Sequence, residues 1–406
     1  MIKCISCQST KVFQIYNFGK IPLSNDFVEK KNNKFVKKYK LNFIVCKKCF
    51  LVQNENIINE KKIFNKQYLY HSSFSSSWLK HAKSLSDYLI KRFQINKNSF
   101  VIEIASNDGY LLKNFKSKKI KHLGIEPSKS VCDIAKKKGI NTVNTFFNKA
   151  VLKSKKIVKK PDLIIGLNVL AHTPNLKDFI TTLDNIMHMN SVAVFEIQYV
   201  LNIFKKLQFD TLYHEHYSYF SLLSINEMLK KTALGIFDIQ QIDTHGGSIR
   251  VFIKKRKKIR SKEKLKINSF LIKEKKIGLS RINFYKKFKK QLKNLIEKNK
   301  QFFYSNPSLI VGYGAAAKAT IFCNVIGLNN KDISFIVDKN KYKQNKQIPG
   351  TDIDIKPIKF LKKVIPKKLL IFPWNLKKEI ISECKFLIKK KCKFLTFEPF
   401  CKISLK

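Results

Sequence analysis

Four of the nine cysteines stand in two Cys-x-x-Cys pairs, Cys4/Cys7 and Cys46/Cys49. Two such knuckles supply four thiolates to one tetrahedral Zn²⁺. Four thiolates leave no open coordination position, so a metal held there is structural. Lys47 and Lys48 flank the second pair and offset thiolate charge. The bland alternative is two unrelated pairs of reduced thiols. The long separation between the pairs requires a small subdomain between them. Cys132, Cys323, Cys384, Cys392 and Cys401 are scattered, and nine cysteines in 406 residues do not make a disulfide scaffold.

A second concentration of chemistry is Phe209-Asp-Thr-Leu-Tyr-His-Glu-His-Tyr-Ser-Tyr-Phe220. Tyr213, His214, Glu215, His216, Tyr217 and Tyr219 crowd together there. They offer an acid–base imidazole, a carboxylate to orient it and phenols to stabilise an oxyanion. His-x-His can also bind metal, but no third ligand follows at a suitable spacing.

Three glycine-bearing turns complete the set. Val101-Ile-Glu-Ile-Ala-Ser-Asn-Asp-Gly109 lies where a strand gives way to a helix. Such a turn, with Glu126 ending the next strand, suits a nucleoside ligand: the second carboxylate accepts ribose hydroxyls. Only Gly109 survives as glycine, with Ala105 and Asn107 in the other slots. The turn holds no lysine and no phosphate cradle, which favours a sulfonium ligand over a pyrophosphate; a ligand-free turn is the alternative. Thr244-His-Gly-Gly-Ser-Ile-Arg250 permits close backbone approach at Gly246 and Gly247, or is simply a tight turn. Val311-Gly-Tyr-Gly-Ala-Ala-Ala-Lys-Ala-Thr320, with Asp338 ending the following strand, reads as a shortened nucleotide turn in which Lys318 could face a diphosphate, or as a degenerate, structural one. Gly246, Gly247, Ser248 and Lys318 are the candidate substrate-binding residues.

The elements that must position these groups follow from periodicity. Residues 72–93 carry Trp78, Leu79, Ala82, Leu85, Tyr88 and Leu89 at helical spacing after a serine-rich start. Short apolar runs at 99–105, 122–126, 162–167, 191–197 and 249–254 predict strands of a mostly parallel α/β sheet. Residues 255–303 predict one or two amphipathic helices. The α/β pattern restarts at 308–314, 333–338 and 368–372. The expected organisation is a zinc-binding subdomain over 1–70, an α/β domain over 71–258, and a helical linker with a second α/β domain over 259–406.

Lysine and arginine total 81 against 28 acids, a formal charge of +53. The excess is almost all lysine, spread along the whole chain, whereas specific phosphate and base readout favours arginine. That pattern reads as compositional drift on solvated faces, although a positive field would still gather a phosphorylated small substrate. No apolar stretch approaches the roughly 20 residues of a membrane span, and the first residues lack a signal-peptide core. A soluble, cytoplasmic monomer or homodimer is expected, without membrane or specific nucleic-acid partners.

In order, the two Cys-x-x-Cys pairs, Tyr68-Leu-Tyr-His-Ser-Ser, Glu103-Ile-Ala-Ser-Asn-Asp-Gly-Tyr, Gly124-Ile-Glu-Pro, Asn168-Val-Leu-Ala-His, Phe209-Asp-Thr-Leu-Tyr-His-Glu-His, Thr244-His-Gly-Gly-Ser and Gly312-Tyr-Gly-Ala-Ala-Ala-Lys resemble the zinc-containing, S-adenosylmethionine-dependent sugar C-methyltransferases. The resemblance spans nearly the whole chain. It implies a zinc subdomain, a central class I methyltransferase domain and a C-terminal Rossmann-like domain, with the active site between the last two. It also implies methylation at C3 of a nucleotide-linked 4-keto-deoxysugar. His216 would abstract the C3 proton. Tyr213 and one of Tyr68 or Tyr70 would hold the developing enolate oxygen or orient the sugar, and Glu215 would bind the ligand or position the base. Glu103, Ala105, Asn107, Gly109, Glu126, Asn168 and His172 would line the cofactor site. The competing activities are methyl transfer to oxygen or nitrogen of another small molecule, a nucleic-acid function favoured only by the charge, and a catalytically dead scaffold.

Overall fold

The computed structural model describes residues 2–30, 32, 36–63, 72–305, 310–397 and 401–403. Its strands are β1 (Val12–Pro22), β2 (Lys38–Cys46) and β3 (Val52–Asn54), then β4 (Phe100–Ile104), β5 (Lys121–Ile125), β6 (Thr142–Val143), β7 (Leu163–Leu167) and β8 (Val192–Gln198). There follow β9 (Ser218–Tyr219), β10 (Leu234–Ile242), β11 (Ser248–Lys255), β12 (Ile310–Tyr313), β13 (Ile336–Asp338), β14 (Ile355–Pro357), β15 (Lys368–Ile371), β16 (Lys393–Phe397) and β17 (Cys401–Ile403).

They form three sheets. The first is antiparallel, in the order β1-β2-β3-β9. The second runs β10-β11-β8-β7-β4-β5-β6, parallel from β8 to β6 and antiparallel at β10 and β11. The third runs β14-β13-β12-β15-β16-β17, parallel except for β17. β4 and β7 are buried at every position, as a sheet covered on both faces requires.

Strand order locates the ligand crevices. In the second sheet the order reverses between β4 and β7, so the crevice lies beyond their carboxyl ends, where the 105–109 turn and Asn168 sit. In the third sheet the reversal lies between β12 and β15, beside the Gly312-Tyr-Gly turn and Trp374.

The first helical expectation is met by Ser76–Arg92. Its Ser75 cap accepts the Trp78 N–H, and Ala82, Leu85 and Leu89 are buried. Residues 255–303 resolve into two helices, Ser261–Ile277 and Ile282–Tyr304, with Gly278 left-handed at the end of the first. The sequence reading saw only hydrophobic runs at β1 and β2, and did not anticipate β3, β6, β9, β10, β14, β16 and β17. β6 is two residues long, and β14 ends on a proline. β9 comes from the His-Glu-His segment itself and pairs with β3 of the zinc-bearing layer, joining parts of the chain more than 150 residues apart.

Three aromatic rings tie the layers together. Phe209, fully buried, stacks on Phe18 of β1 at 6.3 Å and on Phe322 of the helix Ala317–Ile326 at 5.9 Å.

Candidate active site

The four knuckle sulfurs lie within 4.8 Å of one another, with Cys4–Cys49 and Cys7–Cys46 both at 3.5 Å. A disulfide needs about 2.05 Å. A tetrahedral ion with Zn–S of about 2.3 Å needs sulfur–sulfur edges of about 3.8 Å, so the set fits zinc. Both knuckles close the same way: Gln8 and Phe50, each just after its second cysteine, are left-handed and return their N–H to the carbonyls of Cys4 and Cys46.

The turn after β4 keeps a glycine-type backbone without the glycines. Ala105, Asn107 and Gly109 all have positive φ, at 56°, 49° and 79°, and Asn168 after β7 joins them at 57°. Asn and Gly visit this region readily, and Ala does so at a cost of roughly 1–2 kcal/mol. Glu126 holds the turn from the next strand: its two oxygens accept the N–H groups of Asn107 (2.9 Å) and Ser128 (2.8 Å). Burial lifts its pKa to about 7, against the pull of those two donors. Glu103 is fully buried and neither oxygen has a partner at bonding geometry among the described residues. Burial, then Glu126 and Asp108, push its pKa well above the carboxylate range, while the Tyr110 hydroxyl and Leu112 amide pull weakly the other way. An orphaned carboxyl, a second carboxylate beside an open turn and no phosphate cradle fit S-adenosylmethionine.

The helix Ser76–Arg92 leans on the same turn. Ser72 donates its N–H to Asn107 Oδ1 at 2.9 Å and Ser73 its hydroxyl to Asp108. Beneath it, Glu196 is buried between His81 Nε2 (2.8 Å) and Arg250, which donates through Nε and a terminal nitrogen at 2.8 and 2.7 Å. Burial alone would raise the Glu196 pKa, but His81 and Arg250 hold it below its usual range.

The His-Glu-His segment forms the other wall. His216 Nε2 and the Tyr213 hydroxyl share a hydrogen bond at 2.9 Å, with rings 4.1 Å apart. The His172 ring packs against His216 at 4.7 Å, and its Nδ1 bonds the Glu215 carbonyl at 2.7 Å. Burial drives His216 well below the usual imidazole range, with His172 and His245 adding to the effect. Burial also takes His172 to about 4. His216 is therefore neutral at physiological pH, the form a general base needs. Glu215 is buried and points away from His216, accepting from Ser24 (2.6 Å) and Asn25 (3.3 Å). Burial raises its pKa against those donors. Ser24 in turn gives its carbonyl to the Thr320 hydroxyl at 2.9 Å, so the loop after β1 is clamped between the segment and the C-terminal part of the chain. His214 bonds the Tyr39 carbonyl instead and lies on the zinc-layer side. Tyr68 and Tyr70 lie outside the described residues.

The two glycine turns meet here. A Cβ on Gly246 would lie 2.3 Å from Trp374, and one on Gly247 2.2 Å from Asn202, so only glycine admits these approaches. The Ser248 hydroxyl closes the turn on the Thr244 carbonyl at 2.9 Å. Lys318 lies over the Trp374 ring at 3.7 Å and donates to Asn375. Its charge is felt at both His216 and His245. Asp338, by contrast, has its oxygens taken by the Ala315 and Asn340 N–H groups, closing the Gly312-Tyr-Gly turn on itself. The structure thus groups His216, Tyr213, His172, Lys318 and the 246–248 turn, and separately Glu103, Ala105, Asn107, Gly109 and Glu126.

Sequence reading missed Ser24, Asn25, Trp78, His81, Glu196, His245 and Trp374. Two signals were available. The chain has only two tryptophans. In so lysine-rich a chain, a retained arginine such as Arg250 marks a site that needs the planar two-pronged fork.

Comparison with known proteins bears on the whole chain. Family models match three consecutive stretches: a zinc binding domain at residues 4–64, a methyltransferase domain at 78–236 and a C-methyltransferase C-terminal domain at 243–399. The C-methyltransferase NovU of Streptomyces niveus is 25% identical over 98% of this chain and 95% of its own length. The chain belongs to the zinc-containing, S-adenosylmethionine-dependent C-methyltransferases. Solved structures similar to this C-methyltransferase include magnesium protoporphyrin IX methyltransferase (ChlM) from Synechocystis PCC 6803 with bound S-adenosylmethionine, at 13% identity over 44% of this chain and 79% of that one, TM-score 0.34. Another is the PH0226 protein of Pyrococcus horikoshii OT3, at 9% identity over 50% of this chain and all of that one, TM-score 0.37. The cofactors of this C-methyltransferase are S-adenosylmethionine and a structural zinc. Among its described residues no helix is long and apolar enough to cross a membrane.

Proposed function

We propose that this C-methyltransferase methylates C3 of a nucleotide-linked 4-keto-deoxysugar through an enolate formed by His216. The observation that carries the reading is the His216–Tyr213 pair: a half-buried, neutral imidazole sharing a 2.9 Å hydrogen bond with a phenol. A hydrogen next to a ketone is acidic enough for imidazole once the enolate oxygen is stabilised. His216 takes the C3 proton. Tyr213, aided by Tyr68 or Tyr70, holds the oxygen at C4. His172, anchored on the Glu215 carbonyl, buttresses the His216 ring. Glu215 acts as a positioning residue, fixing the segment through Ser24 and Asn25. Glu103, Ala105, Asn107, Gly109, Glu126 and Asn168 hold S-adenosylmethionine, which supplies an electrophilic methyl group when bound. Gly246, Gly247 and Ser248 give the sugar close backbone approach, and Lys318 balances negative charge on the substrate side. His216, Tyr213, His172 and Lys318 are half-buried, with Glu215 and Tyr219 buried behind them, which limits the water that reaches the enolate.

The domain limits that suit this division of labour are 1–70, 71–258 and 259–406. The test is the product of a reaction with ¹³C-methyl-labelled S-adenosylmethionine and a nucleotide-linked 4-keto-6-deoxysugar. A labelled methyl coupled to a ring carbon is expected; a methyl on oxygen or nitrogen contradicts the reading.

A further inference from the structure

Between the cofactor turn and His216 lie two buried nitrogens that the mechanism leaves unused. Trp78 Nε1 and His245 Nε2 are sealed from solvent, and neither has a hydrogen-bond partner among the described residues. Their rings meet edge to face at 5.2 Å. An indole N–H can only donate. A buried donor left unmet is costly, so the molecule gains when a ligand brings an acceptor there.

Both groups are held in place. Trp78 stacks on His81 at 5.0 Å, and His81 is fixed by Glu196 and Arg250. Tyr110, which follows the cofactor turn, lies 6.0 Å from Trp78 on another side. His245 sits in the left-handed region at φ 53°, which costs a non-glycine residue energy, and its carbonyl accepts from Gln198. Strain kept at a residue whose side chain bonds nothing points to a ligand. Lys318 contributes positive charge at His245. The adjoining 105–109 turn, with its left-handed backbone, is the one proposed above to hold the methyl donor.

We propose that Trp78 Nε1 and His245 Nε2 together bind the methionyl carboxylate of S-adenosylmethionine. The assignment rests on the cofactor and not on the identity of the sugar.

The test is calorimetric binding of two ligands to the full-length, zinc-loaded protein. S-adenosylhomocysteine carries the carboxylate; 5′-methylthioadenosine keeps the adenosine and the sulfur but lacks it. Trp78→Phe removes only the N–H and part of the ring. It is expected to weaken S-adenosylhomocysteine about tenfold or more, the scale of a hydrogen bond to a charged group, and to leave methylthioadenosine within about twofold. His245→Asn, which tolerates the left-handed backbone, is expected to act in the same direction. Unchanged S-adenosylhomocysteine affinity, an equal loss for both ligands, or a loss confined to KM for the sugar each overturns the assignment. A measurement on the unsubstituted protein guards against misfolded variants. With only two tryptophans, the ¹⁵N-indole spectrum has an internal reference in Trp374, whose Nε1 already donates to Asp210 at 2.7 Å. The Trp78 indole signal should move with S-adenosylhomocysteine and stay in place with methylthioadenosine; a signal that ignores both overturns the assignment.

Discussion

Glu126, in the proposed cofactor site, has a proton balance that cofactor binding is expected to shift. Burial lifts its pKa to about 7, so near neutrality the free protein carries it part protonated. Ribose hydroxyls donate to a carboxylate and stabilise its charged form. Binding must therefore favour the deprotonated state. The expected result is that S-adenosylhomocysteine affinity rises between pH 6 and pH 8 with net proton release, as read by calorimetry in buffers of different ionisation enthalpy. Glu126→Gln should flatten that dependence. His216 makes the opposite kind of statement. Its folded pKa is depressed, so it stays neutral until well below the usual imidazole range. At saturating cofactor, kcat should stay level from pH 8 to pH 6; an acidic limb near pH 6.5 would show that the base is not the neutral imidazole described here.

At the scale of elements, the zinc layer is a scaffold for the catalytic segment. β2 ends at Cys46, β1 pairs with it along its length, and the loop after β1 supplies Ser24 and Asn25 to Glu215. β9 then docks the end of the His-Glu-His segment onto β3. Two results follow. Removing zinc with a chelator should lower the melting temperature and the activity together, although no reacting group is a zinc ligand. Ser24→Ala, which leaves a Glu215 oxygen unpaired, should cost about 1–3 kcal/mol in urea unfolding. The elements that carry this scaffold differ in how visible they are in the sequence. The parallel strands around β4 and β7 were readable because both their faces are buried and their residues are apolar throughout. The two glycine slots filled by Ala105 and Asn107 looked like a weakened turn, yet the backbone is left-handed at both. The Ser24–Glu215 clamp was not readable, because neither residue type nor spacing links positions so far apart, and tertiary contacts such as the pairing of β3 with β9 and the stacking of Phe18 on Phe209 bring them together. Glu215 reads in sequence as a ligand or base-orienting group, and its bonds suit the positioning role.

For the whole molecule, three layers converge on one cluster. Phe18, Phe209 and Phe322 stack across the zinc layer, the His-Glu-His segment and the C-terminal part of the chain. The formal charge of +53 gives the whole molecule a positive field. Long-range steering of an anionic substrate is screened by salt, with a Debye length of about 10 Å at 0.1 M. Raising salt from 20 to 500 mM should therefore increase KM for a diphosphate-linked substrate several-fold while kcat holds; insensitivity of KM would make the charge irrelevant to capture. The central claim concerns what happens before any methyl moves. The most direct measurement is proton exchange in D₂O. The protein is incubated with a nucleotide-linked 4-keto-6-deoxysugar without the methyl donor and read by mass spectrometry. The account predicts one deuterium gained at C3, lost in His216→Asn, and, once S-adenosylmethionine is added, a product 14 daltons heavier than the unexchanged sugar. Methyl transfer with no His216-dependent exchange would contradict it and point to a heteroatom acceptor.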